Sequence, residues 1–324
     1  MPSSSRRRRS VATMAAVALG ALASRRAAAQ SQPQGFAVER FYPAPPGGGW
    51  MVMDDLDMHG ALGGVIAFSG GYARKPLRLA TPDRTQRFDL VSDQAFAEIG
   101  LSITFERFRF HLAVDSPLVI RGESGALGAT SFAPPSVDLA KNPDTLSDVR
   151  LGFDARLFGG AASPLRVGLG WQLWVPSGER ADYATDGTYR GMGRLLFAGT
   201  IGSFTYAGHV GVHFRPLSDS SIPGGPRGDE LLFGLAAGPR FPIDARRSHV
   251  VVVGPELYGE TAARAPFATS STGLEALLTA RLEGAREDAP QLRWKVGGGG
   301  GLHAHFGAPE WRMVFAVELL DRVR

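Results

Sequence analysis

The stretch that decides the fold is Phe204-Thr-Tyr-Ala-Gly-His-Val-Gly-Val-His-Phe-Arg215. In an extended chain, Tyr206 and Phe214 point to one side, while His209 and His213 point to the other. This alternation with a period of two residues is typical of a β-strand that has one apolar and one polar face. The stretch is also as long as a tilted strand must be to cross a bilayer. It therefore predicts a membrane-spanning β-strand.

The same alternation returns along most of the chain after residue 59. Leu151 and Phe153, for example, alternate with Arg150 and Asp154. The pattern predicts about twelve strands, at roughly 60–73, 95–105, 108–118, 147–157, 164–175, 189–201, 204–215, 229–241, 249–259, 273–283, 290–301 and 310–320. An even number of strands returns both ends to the periplasm, and closure leaves no sheet edge unpaired in lipid. We therefore expect an all-β fold over residues 59–324, a closed antiparallel up-and-down transmembrane β-barrel.

The connections between the predicted strands alternate between short and long. Short turns are expected at 106–107, 158–163, 202–203, 242–247 and 284–289, and long loops at about 74–94, 121–146, 177–188, 216–227, 260–272 and 302–309. A soluble β-sandwich would have strands of about five or six residues and turns of similar length at both ends. Short periplasmic turns with long external loops are instead the arrangement of outer-membrane barrels.

Two of the short turns test the parity of the strands, because a two-residue turn leaves its flanking residues opposed on the same face. Glu106-Arg107 lies between two phenylalanines, and Gly202-Ser203 lies between Ile201 and Phe204, so the flanks are apolar in both cases. An aromatic girdle is therefore predicted at the periplasmic interface. Its members include Phe105, Phe108, Phe204, Phe241 and Trp294.

Residues 1–29 have the composition of a cleaved export signal peptide. Arg6 to Arg9 form a positive start, residues 11–24 a short apolar stretch, and Ala27-Ala28-Ala29 a small-residue cleavage site. Consecutive arginines also occur in twin-arginine signals, but a barrel must reach its membrane unfolded, which favours the ordinary secretory route. The leader holds six Arg and no acid, so the net charge of +4 becomes 4 − 6 = −2 for the mature chain. We therefore expect location in the cell outer membrane and no binding of nucleic acid.

Residues 30–58 are rich in Pro and Gly and show no periodicity. We expect an irregular periplasmic lead-in that packs at the barrel mouth, and the sequence leaves open whether it plugs the lumen. Asp55-x-Asp57-x-His59-Gly60 is similar to the start of a calcium loop, but Ile66 stands where the closing Glu is required. No calcium site is therefore predicted.

Three stretches carry a resemblance to known proteins: Leu146-Ser-Asp-Val-Arg-Leu-Gly152, Val167-Gly-Leu-Gly-Trp-Gln-Leu-Trp-Val-Pro-Ser-Gly-Glu179 and Tyr72-Ala-Arg-Lys-Pro-Leu77. They resemble the strand motifs "GD-x-x-L-G" and "L-x-x-P-T-G-D" of a large group of predicted Gram-negative outer-membrane barrels, with Ser and Glu here in place of Thr and Asp. The resemblance covers residue 60 onward. It implies an outer-membrane barrel similar to transporters of small compounds, or to OmpA-family N-terminal barrels without the peptidoglycan-binding domain. Such barrels usually end on an aromatic residue that the assembly machinery reads, whereas this chain ends Leu319-Leu-Asp-Arg-Val-Arg324.

Motifs for enzyme chemistry are weak or missing from the sequence. There is no Cys, no G-x-S-x-G and no H-E-x-x-H. His303 and His305 share one strand face, as do His209 and His213, but no carboxylate or third His is close in sequence, so lumen lining is the simpler interpretation. Gly297 to Gly301 has the composition of a phosphate-binding loop without its helix, and indicates a strand that bends at the barrel rim. We therefore predict no catalytic residues, no cofactor and no metal.

The inward faces of the predicted strands carry charges of both signs. The lumen-lining candidates are Arg109, Asp115, Arg150, Asp154, Arg156, Arg194, His209, His213, Arg215, Glu230, Glu256, Arg281, Arg293, Lys295 and Arg312. These residues line a solute-selective pore or form an ion-paired interior that keeps the barrel rigid. The leading hypothesis is a passive channel or transporter for small solutes, and the alternative is a structural barrel that acts through its extracellular loops. A lipid-modifying barrel enzyme is a third hypothesis. The expected partners are outer-membrane lipid, the barrel-assembly machinery and a small-molecule solute.

Overall fold

A computed structural model of the protein describes residues 35–58, 62–81, 85–128, 130–141, 146–161, 163–217, 228–244, 249–269, 271–284, 290–303 and 307–323. The expected leader, residues 1–29, lies outside the described residues. The strands are β1 (Leu62–Ala80), β2 (Arg87–Phe105), β3 (Phe108–Arg121), β4 (Gly125–Leu127), β5 (Thr130–Phe132), β6 (Ser136–Asp138), β7 (Val149–Phe158), β8 (Arg166–Val175), β9 (Arg190–Ile201), β10 (Phe204–Phe214), β11 (Glu230–Pro242), β12 (His249–Ala262), β13 (Thr272–Gly284), β14 (Gln291–His303) and β15 (Trp311–Val323). A 3-10 turn spans Arg180–Asp182. Among the described residues, no helix is both long enough and apolar enough to cross a bilayer.

Twelve of these strands close into one antiparallel barrel. β1 pairs with β2 on one side and with β15 on the other, from Leu62↔Val323 to Arg74↔Trp311. β3 pairs directly with β7, so the short strands β4, β5 and β6 stand outside the circle. The predicted fold class, a closed antiparallel barrel of about twelve strands, is confirmed.

The two faces of the barrel wall differ in polarity as the sequence predicts. On the outer face Leu151 and Phe315 are 42% and 44% exposed, and Phe233 is half-buried. The neighbouring Arg150 and Arg312 face inward and are 3% and 0% exposed. These outward apolar residues therefore do not share a dry core and form an exposed apolar outer surface instead.

The tight turns keep the strand parity. Phe105 pairs with Phe108 across Glu106, and Ile201 pairs with Phe204 across Gly202. Both turns use a positive φ, 51° at Glu106 and 60° at Gly202, which bends the chain back within two residues. All five aromatic residues expected in the girdle are exposed near this end of the barrel: Phe105, Phe108, Phe204, Phe241 and Trp294.

Several connections differ from the predicted loops. The expected loop at 74–94 is a hairpin, because β1 continues to Ala80 and β2 begins at Arg87. The alternation is lost there because register shifts between Arg74 and Leu79 change which side chains face inward, while the strand pairing continues. The expected loop at 121–146 contains the β4–β5 hairpin and β6, which pairs with β3. β12 continues to Ala262, beyond its predicted end at about residue 259, and β14 continues to His303, beyond its predicted end at about residue 301.

An apolar cluster closes the long-loop end of the barrel. It joins the extended strands to the loops and to the chain before β1. We call it the outer cap; its buried members are Phe36, Val38, Leu77, Leu79, Phe88, Leu90, Val91, Ile120, Phe132, Val137, Tyr183 and Leu217. Since these side chains come from distant parts of the chain, the described loop residues Phe132, Val137, Tyr183 and Leu217 pack onto the extended strands and the chain before β1.

Candidate functional site: an occupied barrel lumen

Residues 35–58 lie inside the barrel, and we call them the inner segment. Trp50, Met53 and Leu56 are completely buried. The expected position of this stretch, a periplasmic lead-in at the barrel mouth, is therefore corrected for the described residues. Aperiodic Pro/Gly sequence usually indicates an exposed loop, but here twelve strands enclose more space than their own side chains fill.

The inner segment runs from the long-loop end to the short-turn end of the barrel. At the long-loop end, the Val38 amide donates to the Tyr183 carbonyl at 3.1 Å. At the other end, Arg156 donates to the Leu56 carbonyl at 3.2 Å, close to the turn that follows β7. The chain therefore passes through the lumen before it enters β1.

The middle of the inner segment folds on itself into a compact turn. The Gly48 amide donates to the Pro45 carbonyl at 2.7 Å, and the Asp55 amide donates to the Gly48 carbonyl at 2.8 Å. Gly49 has a φ of +91°, and a Cβ there would lie 2.1 Å from Asp55 Oδ2. The glycine run at 47–49 is thus required by both backbone conformation and space.

Glu256 anchors this compact turn at the middle of the lumen. Its carboxylate accepts the amides of Met51, Val52 and Met53 at 2.8, 2.9 and 3.1 Å, and the Thr279 hydroxyl at 2.7 Å. Charge-assisted hydrogen bonds of this kind are about twice as strong as neutral ones. On the neighbouring strand β11, Gly234 leaves the space that Met53 occupies, because a Cβ there would lie 2.3 Å from Met53 Cε.

Arginines bind the inner segment at the short-turn end. Arg109 pairs with Asp54 and, through Nε, with Asp154 at 3.2 Å. Arg281 pairs with Asp55 at 3.1 Å, and its guanidinium lies 5.4 Å from the centre of the Trp50 ring. These charges are buried and mutually neutralised, which is the condition under which buried charge is tolerated.

A second group of ion pairs binds the segment at the long-loop end. Arg312 pairs with Glu39 at 2.8 Å and with Glu275 at 2.7 Å. Arg40, from the segment itself, pairs with Glu230 at 3.2 Å and with Glu260 at 3.0 Å. The inner segment is therefore fixed at both ends by buried salt bridges.

The loop between β8 and β9 joins this group. Asp186 accepts the Ala37 amide at 2.9 Å and pairs with Arg215 at 2.6 Å. Burial raises the pKa of Asp186, but Arg215 and Arg190 lower it by more, so the pKa lies well below its usual range. Asp186 is therefore ionised near neutral pH and links the loop to both the barrel and the inner segment.

The structure places the fifteen lumen-lining candidates inside the barrel. Asp115 and Arg156 are half-buried and the others are buried: Arg109, Arg150, Asp154, Arg194, His209, His213, Arg215, Glu230, Glu256, Arg281, Arg293, Lys295 and Arg312. Most of them contact the inner segment or a charge that does. Lys295, for example, donates to the Trp50 carbonyl at 3.2 Å and pairs with Glu318 at 2.7 Å.

Sequence reasoning missed two sets of charged residues in the lumen. Those on the strands could have been found by applying the same parity: Glu98, Arg190 and Glu260. The alternation itself assigns Glu275 and Glu318 to the polar faces of their strands, and both are buried. Those on the inner segment had no signal, because the stretch has no period: Glu39, Arg40, Asp54 and Asp55.

The other predicted features are placed as follows. Asp55 binds Arg281, Asp57 lies 3.9 Å from Arg293, and His59 and Gly60 of the calcium-like pattern lie outside the described residues. His303 Nδ1 donates to the Thr272 carbonyl at 2.7 Å, and His305 is also outside the described residues. The glycines 297–301 lie within β14, paired with β13.

Small spaces lie beside the inner segment among the described residues at the long-loop end. A cavity of about 60 Å³ lies between Tyr42 and the wall, near Glu98, Arg150 and Trp174. This volume holds a few water molecules. The described conformation is therefore a filled barrel and not a water-filled tube.

Solved structures with similar architecture are outer-membrane barrels. An outer membrane channel from Pseudomonas putida F1 matches with a TM-score of 0.51 at 10% identity, over 82% of this chain and 98% of that chain. The NanC porin matches with a TM-score of 0.44 at 7% identity, over 80% and 100% of the two chains. LpxR from Salmonella typhimurium matches with a TM-score of 0.38 at 12% identity, over 78% and 99%.

This chain has the fold of an outer-membrane β-barrel. At such identities the likeness extends to the fold alone, and the OmpA-family placement and the signal peptide stay predictions. No family model matches the chain, and no curated protein matches it in sequence.

Proposed function

We propose that the protein is a channel for small polar solutes that the inner segment holds closed. The observation that carries the proposal is how the segment is attached. It is bound by side-chain ion pairs and hydrogen bonds, while within the described residues it joins no ladder of the barrel sheet. Side-chain contacts of this kind break without unfolding the wall.

The size of the barrel supports the same proposal. Barrels of about eight strands are filled by their own side chains, whereas those of about sixteen leave an aqueous channel. Twelve strands lie between these limits, and the added space here is occupied by residues 35–58. Withdrawal of the segment would expose a lumen lined with charged side chains, which suits polar solutes and not hydrocarbons.

The test is the conductance of refolded protein in planar bilayers. The mature chain is expected to be mostly silent, and a variant without residues 30–58 is expected to conduct steadily. Heat-modifiable migration in detergent gels verifies that the deleted barrel still folds. A folded variant that passes neither ions nor solute contradicts the proposal.

A smaller change provides a matched comparison. Glu256→Gln weakens the anchor of three amides and is expected to cause intermittent openings. Glu310→Gln makes the same chemical change at an exposed site near β15 and is expected to stay silent. Equal silence of both variants would mean that Glu256 does not hold the closed state.

The outer cap favours a second candidate function, a structural barrel that acts through its long loops. Within the described residues of the expected loop at 121–146, β4 and β5 form a hairpin and β6 pairs with β3. Binding or envelope defects that follow deletion of residues 122–146, and not lumen substitutions, would favour it over the channel. Neither candidate assigns a catalytic step, and a lipid-modifying enzyme would have to lose activity on substitution of His303 or His305.

A further inference from the structure

A histidine and two glutamates meet at the long-loop end of the lumen. His213 Nδ1 lies 3.3 Å from Glu260 Oε1 and 3.9 Å from Glu230 Oε2. Each glutamate binds arginine through its other oxygen, Glu260 Oε2 with Arg40 and Glu230 Oε1 with Arg40 and Arg215. One nitrogen and two oxygens are thus directed at a common point, with all three ligand atoms within 4.8 Å of one another.

The two separations from His213 Nδ1 suit a tetrahedral metal ion. Zinc binds His nitrogen and carboxylate oxygen at about 2.0–2.2 Å, so ligand atoms on a tetrahedron lie about 3.3–3.6 Å apart. The two distances from His213 Nδ1 require shifts of only a few tenths of an ångström. Histidine nitrogen and carboxylate oxygen are both zinc ligands, and zinc sites with three protein ligands keep one position open.

Two further observations indicate that a cation belongs here. Glu230 Oε2 is buried and has no hydrogen-bond partner among the described residues, although it faces His213. Among the described residues, the connected ion pairs contain four carboxylates and three guanidinium groups, which leaves one negative charge in excess when His213 is neutral. These groups are Asp148, Asp186, Glu230, Glu260, Arg40, Arg190 and Arg215.

The surroundings fix the imidazole and leave room beside the carboxylates. The ring of His213 lies between Tyr42 and Trp174, with ring centres 5.5 and 5.3 Å away. A cavity of about 20 Å³ adjoins Arg40, Glu230 and Glu260. That volume accommodates about one water molecule, and a zinc ion in a site of three protein ligands needs one.

We propose that His213 Nδ1, Glu230 Oε2 and Glu260 Oε1 bind a divalent transition-metal ion of the zinc class. The ion and Arg40 would share the same two carboxylates, so metal binding weakens the attachment of the inner segment at its long-loop end. This consequence rests on the proposed channel function, whereas the metal site itself does not. The segment would then be released from one end by a metal ion.

The test is calorimetric titration of ZnCl2 into metal-free barrel, refolded in detergent without a histidine tag. One saturable site is expected, together with no binding of MgCl2. His213→Ala and Glu260→Gln should each weaken zinc binding by at least about tenfold, since even outer-sphere partners are worth 10–100-fold. His249→Ala, at the opposite end of the barrel, is the matched control and should bind as the parent does.

Arg40→Gln provides the opposite change. Removal of the competing cation should strengthen zinc binding, and by reciprocity zinc then weakens the hold of Arg40 by the same factor. Absence of saturable zinc binding in the parent overturns the proposal, as does unchanged affinity in His213→Ala. If the ligand variants fail the heat-modifiable folding check, unchanged affinity in Arg40→Gln overturns it instead.

Conductance separates this proposal from the channel function. A barrel that binds zinc but never conducts, even without residues 30–58, contradicts only the proposed channel function. A barrel that conducts after deletion of residues 30–58 but does not bind zinc contradicts only the proposed metal site. If both hold, zinc should raise the open probability of the parent and leave that of His213→Ala unchanged.

Discussion

The two halves of the lumen carry opposite charge. Toward the short turns, basic residues dominate the inward side chains of the described chain: Arg109, Arg156, Arg166, Arg194, Arg281, Arg293 and Lys295 against Asp154, Glu283 and Glu318. Toward the long loops, acidic residues dominate: Glu98, Asp115, Asp148, Asp186, Glu230, Glu260 and Glu275 against Arg150, Arg190, Arg215 and Arg312.

The inner segment has the complementary order of charge. Asp54, Asp55 and Asp57 lie in the basic half, and Arg40 lies in the acidic half. Glu39 is the exception, and it pairs with Arg312. A segment inserted in the reverse direction would place like charges together in a buried site, so charge order specifies the direction of insertion as well as the attachment.

The largest expected effect comes from removal of the segment. Without residues 30–58, the lumen has a basic zone at one mouth and an acidic zone at the other, and ions of opposite sign accumulate in them. Such a pore should rectify, so that currents at equal and opposite voltages differ. Current–voltage curves in symmetric salt measure this directly.

Charge substitution in the deleted barrel tests the origin of rectification. Arg281→Gln together with Arg293→Gln should reduce the difference between the two currents, because both side chains belong to the basic half. A deleted barrel with equal currents at both polarities would show that the two halves do not act as separate charge zones.

The next effect concerns the basic half alone. Asp54→Asn leaves the buried Arg109 without its partner on the segment, and breaking a buried pair costs about 3–5 kcal/mol. The short-turn end of the segment should detach, so that protease cuts near residue 54 while the barrel stays resistant. The double variant with Arg109→Gln should recover part of the loss, and a double-mutant cycle gives the coupling. Additive effects would mean that the pair does not hold the segment.

These contrasts also show how far sequence reasoning reaches. The barrel wall was predictable because the side chains between Phe204 and Phe214 alternate between the outer face and the lumen. The apolar and polar residues of the sequence therefore alternate with a period of two. The alternation of polar and apolar residues alone predicts that Arg150, Glu256 and Arg312 face the lumen, where the structure has them. The inner segment was not predictable. Residues 43–55 fold through tight turns that have no sequence period, and their amides bind acceptors such as Glu256, which lies about two hundred residues away in the sequence. The role of Asp54 and Asp55 is visible only in the structure, where they pair with Arg109 and Arg281.

Glu256, at the boundary between the two halves, should give a smaller effect. Glu256→Gln keeps one carbonyl acceptor but removes the negative charge that three amides share. The expected loss of stability is about 1.5–3 kcal/mol, the contribution of hydrogen bonds to a charged group. The segment should loosen at its middle and remain attached at both ends. Hydrogen exchange of residues 50–53 should therefore rise, while that of residues 36–40 stays unchanged. Equal acceleration along the whole segment would show that it detaches as one unit.

The smallest effect is expected from acid at the long-loop end. The folded pKa of Asp186 lies well below its usual range, since Arg215 and Arg190 outweigh the effect of burial. A carboxylate with a lowered folded pKa stabilises the fold fully above its unfolded pKa of about 3.9, and that stabilisation is lost as the pH falls further. Hydrogen exchange in residues 179–190, corrected for intrinsic rates, should therefore be equal at pH 7 and 5 and rise near pH 3.

Asp186→Asn distinguishes this residue from its neighbours. The variant should show at pH 7 the fast exchange that the parent shows only in strong acid, because the amide cannot neutralise Arg215. If the parent already opens between pH 7 and 5, a group that titrates in that range controls the loop instead of Asp186. In that case the acidic half would be the labile half of the lumen near neutral pH, and release of the segment would begin at the long loops without any metal ion.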